Sequence, residues 1–473
     1  MPSAIMLSEV RLRSQRSTLM LIIALSLMLR LVLVFGVQGV GIHTDDERDY
    51  AQLAGSLVAG EGYRFANGAI TSLRPPLYPA FVATVWTLSG STGLTAVRLA
   101  QIAVALASVW LVFLLGRRMF SARIGLVAAA IWAFYPSALY ANVLILTEVL
   151  FTFFVVLTCY CIAEGLHDRR RLLLWSALGG LSIGLGALTR SVLWPLPLVL
   201  VPVWMCLTGP GWKTRCGAAA CLVAGYLVVV APWAVRNTQV QGTFVVVDTM
   251  GGMNLRMGNY EHTREDRMWD GVSLVGEQSW SHALIQEHPD ARHWTEGQRE
   301  KWARARATEY MIANPGVTLR RVVLKFADFW GLEREYIAAA RAGIYPAPTW
   351  FLVFSSSLVV VSYVAIMLVA TTGLVLLPWH NWRAHVVPLL LLVWVSGIHT
   401  VVFGHSRYHL PLMPLVIGYA AAALTERPWS SLGLATWRRS ALAATWLVLL
   451  LIWGHEILLR DADRIRQILM AAR

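Results

Sequence analysis

Residues Leu19 to Val40 read LMLIIALSLMLRLVLVFGVQGV, and a few positions later Thr44-Asp45-Asp46-Glu47-Arg48-Asp49-Tyr50 places four carboxylates within five residues. The first stretch is long enough to cross a hydrocarbon layer about 30 Å thick as a helix, and too long for the core of a cleaved signal. Arg11, Arg13 and Arg16 precede it, so it reads as a signal anchor with its N-terminus inside. The acids then emerge at the far surface, where water and lipid headgroups meet.

The rest of the chain agrees with that beginning. Of 473 residues, 57% are hydrophobic and 14% charged, a balance that excludes an ordinary soluble enzyme and predicts an all-α polytopic membrane protein. The formal net charge of +13 does not mark a nucleic-acid binder. The basic residues fall in short clusters between apolar runs, which is how membrane topology is written. The five cysteines, Cys159, Cys161, Cys206, Cys216 and Cys221, have no paired metal spacing and lie toward the inner ends of their runs. Free thiols are expected, with neither disulfides nor a zinc site.

Residues 41–93 form a turn-rich first outer loop of short helices, with Gly55, Gly60, Gly62, Gly68 and Pro75-Pro76 and no run long enough to cross. Further apolar runs alternate with side markers. Arg117, Arg118 and Arg123 lie inside, Tyr135 to Asn142 outside, and His167 to Arg171 inside. Thr189-Arg190-Ser191 lies outside, Lys213 and Arg215 inside, and the chain leaves at Trp233 to Asn237. These give about seven spans in an N-terminal module, residues 1–235.

Residues 236–348 contain no spanning run and are expected to form a small mixed α/β extracytoplasmic domain. Gly242 to Asp248 resembles a short strand; Gln298 to Asn314 and Gly316 to Trp330 have helical periodicity, the second suited to lie in the membrane interface. Residues 349–473 add three or four spans, at about 350–377, 386–403, 409–425 and 440–458. Between them Trp379 to His385 and Arg427 to Arg439 mark the inside and Gly404 to His409 the outside. The total is about eleven, with the Arg460 to Arg464 tail outside.

Thr44 and Glu47 have capping-box spacing, so a helix that starts at Thr44, its dipole offset by Asp45, Asp46 and Glu47, explains the acids without chemistry. It does not explain their place. A helix start pressed on the membrane surface is a poor site for three carboxylates unless something polar or positive docks there. Asp46 and Tyr50 are i and i+4 and share a face that Leu53 and Leu57 continue, whereas Asp49 is offset from Asp46 and expected to be solvated. Arg74-Pro75-Pro76-Leu77-Tyr78-Pro79 gives a stiff approach to the next helix, or a plain turn. Glu148 sits one to two turns inside the outer end of an apolar segment. An acid there is a functional candidate, or the structural partner of an arginine such as Arg190. Arg190 and Arg407 mark outer span ends, where a guanidinium either forks a lipid phosphate or snorkels. His405 and His409 frame Arg407.

Asp46-Glu47-x-x-Tyr50, Leu57-x-x-Gly60-x-Gly62-Tyr63 and Pro75-Pro76-Leu77-Tyr78-Pro79 are followed by Leu146-Thr147-Glu148 and Pro232-Trp233-x-x-Arg236-Asn237 with Gly242. Then come Gly258-Asn259, Asn314-Pro315-Gly316 and Arg407-Tyr408-x-Leu410-Pro411. In this order they resemble the GT-C superfamily of polytopic glycosyltransferases, in the branch of protein O-mannosyltransferases and lipid A aminoarabinose transferases. The resemblance covers most of the chain.

It implies a sugar donor on a polyprenyl phosphate, an acceptor hydroxyl on a lipid, glycan or protein, and inverting transfer at the extracytoplasmic face of the inner or plasma membrane. It also implies that the first-loop aspartate is the general base. Asp46 holds that place; the additional Asp45 keeps the choice between them open, and Glu47 joins them as a catalytic candidate. The phosphate leaving group calls for positive charge, with Arg407, Arg190 and Arg236 as candidates. Tyr50, Arg74, Tyr78, Glu148 and Tyr408 are candidates for substrate binding. The family is not uniform in metal dependence, so a divalent cation stays open. The alternative is a transporter or flippase of lipid-linked sugars, which would need ionisable residues near the midplane of several spans. Here Asp46, Arg190, Arg236 and Arg407 gather at one surface.

Overall fold

The computed structural model describes residues 2–209, 211–265, 268, 271, 274–345, 347–379, 381–427 and 436–460, with side chains from Ser14 to Leu458. The middle of the expected inner loop Arg427 to Arg439, and the C-terminal tail from Asp461, lie outside the described residues. After α1 (Pro2–Gly36), the first loop folds into α2 (Asp45–Val58) and α3 (Leu77–Ser89). There follow α4 (Leu94–Met119), α5 (Ala122–Ala133), α6 (Pro136–Ala141), α7 (Glu148–His167), α8 (Leu172–Thr189), α9 (Pro197–Leu207) and α10 (Trp212–Gln241). The next stretch holds α11 (Met250–Met257), α12 (His282–Glu287), α13 (Glu296–Ala313), α14 (Pro315–Phe329) and α15 (Glu335–Arg341). The chain closes through α16 (Thr349–Leu376), α17 (Trp382–Val401), α18 (Met413–Glu426) and α19 (Thr436–His455).

Among the described residues nine helical stretches are long and apolar enough to cross a bilayer, on α1, α4, α7, α8, α10 and α16 to α19. The two remaining expected spans fall on α5 and α9, which have 12 and 11 residues. At about 1.5 Å per residue either helix covers little more than half of a hydrocarbon layer about 30 Å thick. Proline sets their limits: Pro136 opens α6 soon after α5 ends, and Pro197 opens α9.

Gly242 to Asp248 do not form the expected strand, and no strand forms among the described residues of 236–348. Val245 and Val247 are buried, which produces the strand-like alternation. The Val247 carbonyl, however, accepts from Trp233 Nε1 at 2.8 Å and Asn237 Nδ2 at 2.9 Å, so side chains of α10 stand where a neighbouring strand would. The two arginine-bearing helices do appear, as α13 and α14, divided at Asn314-Pro315. α14 is amphipathic: Arg321, Lys325 and Phe329 are buried, while Leu319, Val323 and Phe326 are exposed.

Between α5 and α7 the chain forms only the short α6 and then irregular turns to Thr147, and carbonyls of this stretch are met by side chains. Arg98 donates to Val143 O at 2.7 Å, and to Val37 O and Val40 O at the end of the first span. Arg30, 1% exposed, donates to Ala138 O at 3.1 Å and Asn142 Oδ1 at 2.9 Å. Gln101 Nε2 donates to Asn142 O and Leu144 O. Unsatisfied backbone groups are costly at membrane depth, and these contacts remove that cost.

Glu47 completes the set. Thr44 and Glu47 form the expected capping box, and Glu47 Oε2 accepts from His43 N and Thr44 N while Oε1 accepts from Ile145 N at 3.0 Å. One buried carboxylate therefore starts α2 and ties it to the approach to α7.

α8 and α10 pack backbone on backbone. A Cβ on Gly180 would lie 1.9 Å from Leu222 O, and one on Gly225 2.2 Å from Ala177 O. Small residues allow such approach where lipid offers no hydrophobic drive for helix association. Gly180→Ala is therefore expected to destabilise the detergent-solubilised protein by about 1–3 kcal/mol through overpacking. Gly418→Ala, where a Cβ meets nothing within 4 Å, should leave the melting midpoint unchanged or raise it. Glu47→Ala removes the reciprocal half of the capping box, leaving His43 N and Thr44 N without their acceptor, and orphans Ile145 N–H, and should cost about 2–4 kcal/mol in the same melt. Asp45→Ala, at a side chain 84% exposed, should not move it.

Candidate active site

Asp46 stands in the first turn of α2, at the edge of a cavity of about 420 Å³. Its walls come from α2, Arg74, the turn Thr189 to Val192 after α8, Asp248 to Met257 with the start of α11, Glu335 of α15, and the segment His399 to Tyr408. Arg74 Nη2 donates to Asp46 Oδ1 at 2.7 Å, and Arg407 Nη1 to Oδ2 at 3.1 Å. Arg407 also donates through Nε to Glu148 Oε1, which accepts from Arg190 Nη2 at 3.2 Å. At the other end Arg74 holds Asp49 through Nη2 at 2.7 Å and Nε at 3.0 Å. The result is an alternating row, Asp49, Arg74, Asp46, Arg407, Glu148, Arg190. Aromatic rings back two of the cations: Arg74 lies 5.7 Å from the Tyr50 ring centre, and Arg190 lies 5.1 Å from that of Tyr408.

Burial by itself would push the Asp46 carboxyl up. Arg74 and Arg407 outweigh it and hold the group below the usual carboxylate range. Asp248, on the same cavity, shows the opposite balance. Burial raises it to about 6, against hydrogen bonds from Ser191 and Met250 N.

Asp46, Tyr50, Arg74, Arg190, Arg407 and Tyr408 all line the cavity, with Glu148 joined to them through its ion pairs. Asp45 lies at its mouth, turned to solvent and paired with Arg48 at 3.0 Å. Glu47 is not in the cavity, since its oxygens are committed to the cap and to Ile145. Tyr78 is fully buried behind Tyr50, 5.1 Å from it ring to ring, and donates to Gln101 Oε1 at 2.7 Å.

Three expectations are corrected. Arg236 does not face the cavity: it donates to Thr71 O, Ser72 Oγ and Tyr63 O and stacks 4.7 Å from the Trp233 ring, bracing the first loop. Asp49 is not free in solvent, because Arg74 turns back onto it. Glu148 is the first residue of α7 and not a turn or two inside it, so the helix dipole adds to the two arginines in favouring its charge. Of the histidines, His405 is on the wall, with Nδ1 accepting from Arg407 N at 3.0 Å. His409 is buried away from it, against Phe329 O at 2.6 Å and Glu333 at 3.2 Å.

Asp248 and Glu335 are cavity residues that sequence reasoning passed over. Asp248 carried a signal, an acid closing the apolar run Phe244 to Val247; Glu335 had none. Among the described residues no three His, Cys, Asp or Glu side chains come together in a metal-holding group. Asp46 and Glu148 are already engaged by guanidiniums, so these residues do not by themselves make a cation site.

Residues 73–235 match the family described as dolichyl-phosphate-mannose-protein mannosyltransferase. Over 208 residues the chain is 31% identical to an undecaprenyl phosphate-alpha-4-amino-4-deoxy-L-arabinose arabinosyl transferase of Pseudomonas aeruginosa (strain LESB58), covering 41% of this chain. The chain spans little more than a third, 36%, of the length of that relative. Among solved structures, the apo oligosaccharyltransferase of Archaeoglobus fulgidus aligns with a TM-score of 0.51 and 14% identity, over 95% of this chain and 55% of that one. The same enzyme has a structure in complex with zinc and sulfate. ArnT from Cupriavidus metallidurans bound to undecaprenyl phosphate aligns at a TM-score of 0.41 and 16% identity, over 87% and 77% of the two chains. The chain thus shares the fold of that oligosaccharyltransferase along nearly its whole length, and its sequence likeness to the mannosyltransferase family falls across the stretch that carries Arg74, Glu148 and Arg190.

Proposed function

We propose that this protein is a membrane glycosyltransferase that moves a sugar from a polyprenyl-phosphate donor to an acceptor hydroxyl, with inversion and with Asp46 as general base. The observation that carries the reading is the row Asp46, Arg407, Glu148, Arg190 on one polar cavity at the ends of apolar helices. A donor whose tail lies in the bilayer has to react at such a surface. The name of the Pseudomonas relative supports an undecaprenyl-phosphate-linked sugar as the donor class.

In this reading the donor phosphate competes with Asp46 for Arg407. As Arg407 turns to the phosphate, Asp46 loses one of the two cations that keep it acidic and becomes a stronger base. It takes the proton of the acceptor hydroxyl while that oxygen attacks the anomeric carbon. The carbon–oxygen bond to phosphate breaks, and its electron pair leaves with the polyprenyl phosphate, whose charge Arg407 and Arg190 meet. Arg74 stays on Asp46 and Asp49.

The topology that goes with this mechanism counts α5 and α9 as crossings completed by their adjoining turns, eleven in all. It keeps the N-terminus cytoplasmic and the cavity extracytoplasmic. Residues 1–235 and 349–473 are then the two membrane modules, and 236–348 the outer segment that roofs the cavity. The flippase alternative is not favoured, because the charged row lies at helix ends and not along a route through the spans. The acceptor class, lipid, glycan or protein, would follow from what the roof admits.

Asp46→Asn and Asp45→Asn, assayed in membranes with labelled undecaprenyl-phosphate-linked sugar, test the assignment. Asp46→Asn should lower transfer by about 10²–10⁴-fold, the range for loss of a positioned base, and Asp45→Asn by less than about threefold. Undiminished transfer by Asp46→Asn would rule out Asp46 as the base.

A further inference from the structure

Lys325 is one of three lysines among forty basic residues, and it is fully buried on the inner face of α14. Its Nζ donates to Asn259 Oδ1 at 2.8 Å and to Val401 O at 2.9 Å, both neutral oxygens. Val401 is the last residue of α17, where carbonyls have no partner within the helix and a lysine completes them while complementing the dipole. Asn259 Nδ2 reaches the same carbonyl at 3.1 Å.

The backbones around Lys325 approach closely. A Cβ on Gly258 would sit 2.1 Å from Val402 O and 3.3 Å from Lys325 Nζ, and one on Gly404 2.4 Å from Lys325 O. One turn further along α14, Phe329 O meets His409 Nδ1 at 2.6 Å, and the Phe329 ring stacks on His399 at 5.6 Å. The segment between those anchors, residues 401–409, carries His405, Arg407 and Tyr408 into the cavity.

We propose that Lys325 is a positioning residue: with Phe329 it makes α14 a clamp that sets the 401–409 segment, and through it places Arg407 to receive a phosphate. The Gly258-Asn259 pair acquires its role here, as the seat of the lysine. Burial, and then Arg321, push the Lys325 amine down to about 7. An amine donates hydrogen bonds in either protonation state, so the clamp does not depend on its charge. The proposal rests on the reading of Arg407 as the phosphate-binding group.

Undecaprenyl phosphate is the probe, titrated against the full chain in detergent for wild type, Lys325→Met, Arg407→Gln and the double variant. Lys325→Met conserves volume and should lower the melting midpoint only modestly, since removing a buried amine offsets the orphaned Asn259 Oδ1, yet weaken binding by about tenfold; in the Arg407→Gln background it should add less than about twofold, the signature of action through a shared partner. Equal losses in the two backgrounds, or none in Lys325→Met alone, overturn the clamp and leave the phosphate reading standing. Wild type without affinity for the probe overturns both. If Lys325→Met does not accumulate, Asn259→Ala, which removes the acceptor of Lys325 and a donor to Val401, runs through the same cycle with the same expected pattern.

Discussion

Arg407 bridges Asp46 and Glu148, and one end of the bundle is arranged to make that bridge possible. Its side chain is 14% exposed and that of Glu148 is 4% exposed, so neither charge is left to water. Each has to find its opposite in a fixed place, because an uncompensated buried charge costs several kcal/mol, on the order of 3–5 when one partner of a pair is lost. The three groups belong to α2, α7 and the segment before α18, far apart in sequence. Arg74 and Arg190 extend the same logic outward until the row ends at partly exposed atoms. In the proposed reaction this row suits a guest anion, since every guanidinium in it already holds a carboxylate that a phosphate would displace.

A second layer of polar contacts holds the row without entering it. Glu47 joins the start of α2 to Ile145, three residues before Glu148, and Arg98, Arg30 and Gln101 satisfy the carbonyls of the segment between. On the other side Glu296 accepts from Thr71 Oγ1 at 2.6 Å and Ser72 N at 2.7 Å, which fixes the loop that delivers Arg74. Several of these residues are of the types usually taken for catalytic ones. Their work is to let irregular backbone exist against the bilayer, where unpaired carbonyls are not tolerated.

Much of this was legible in the sequence because the bilayer imposes long apolar helices and a period that cannot be mistaken. Thr44, Glu47 and the i, i+4 pair Asp46 and Tyr50 were readable for a related reason: capping and helical spacing are local. What was not legible was the direction of a guanidinium. Arg236 and Arg407 both sit at span ends after an aromatic or histidine-rich stretch, yet one braces a loop and the other faces the cavity, a difference set by tertiary contacts alone. Arg30 and Arg98 were hidden for the opposite reason, being lone cations within apolar runs whose partners are carbonyls with no sequence signal. The 242–248 segment has strand-like alternation, but its hydrogen-bond partners are Trp233 and Asn237, which no periodicity could reveal.

The glycine contact between α8 and α10 has a mechanical side. Two helices with no room for a methyl group between them cannot slide or roll independently, and so form one beam. Arg190 is mounted at the end of α8, while Arg236, Asn237 and Gln241 of α10 grip the Tyr63 to Ser72 stretch that leads to Arg74. Two of the three guanidiniums are therefore fixed to a common frame, and Arg407 arrives on another. The gauge of the cavity is the spacing between those two frames, and in the proposed reaction a substrate would be measured against it.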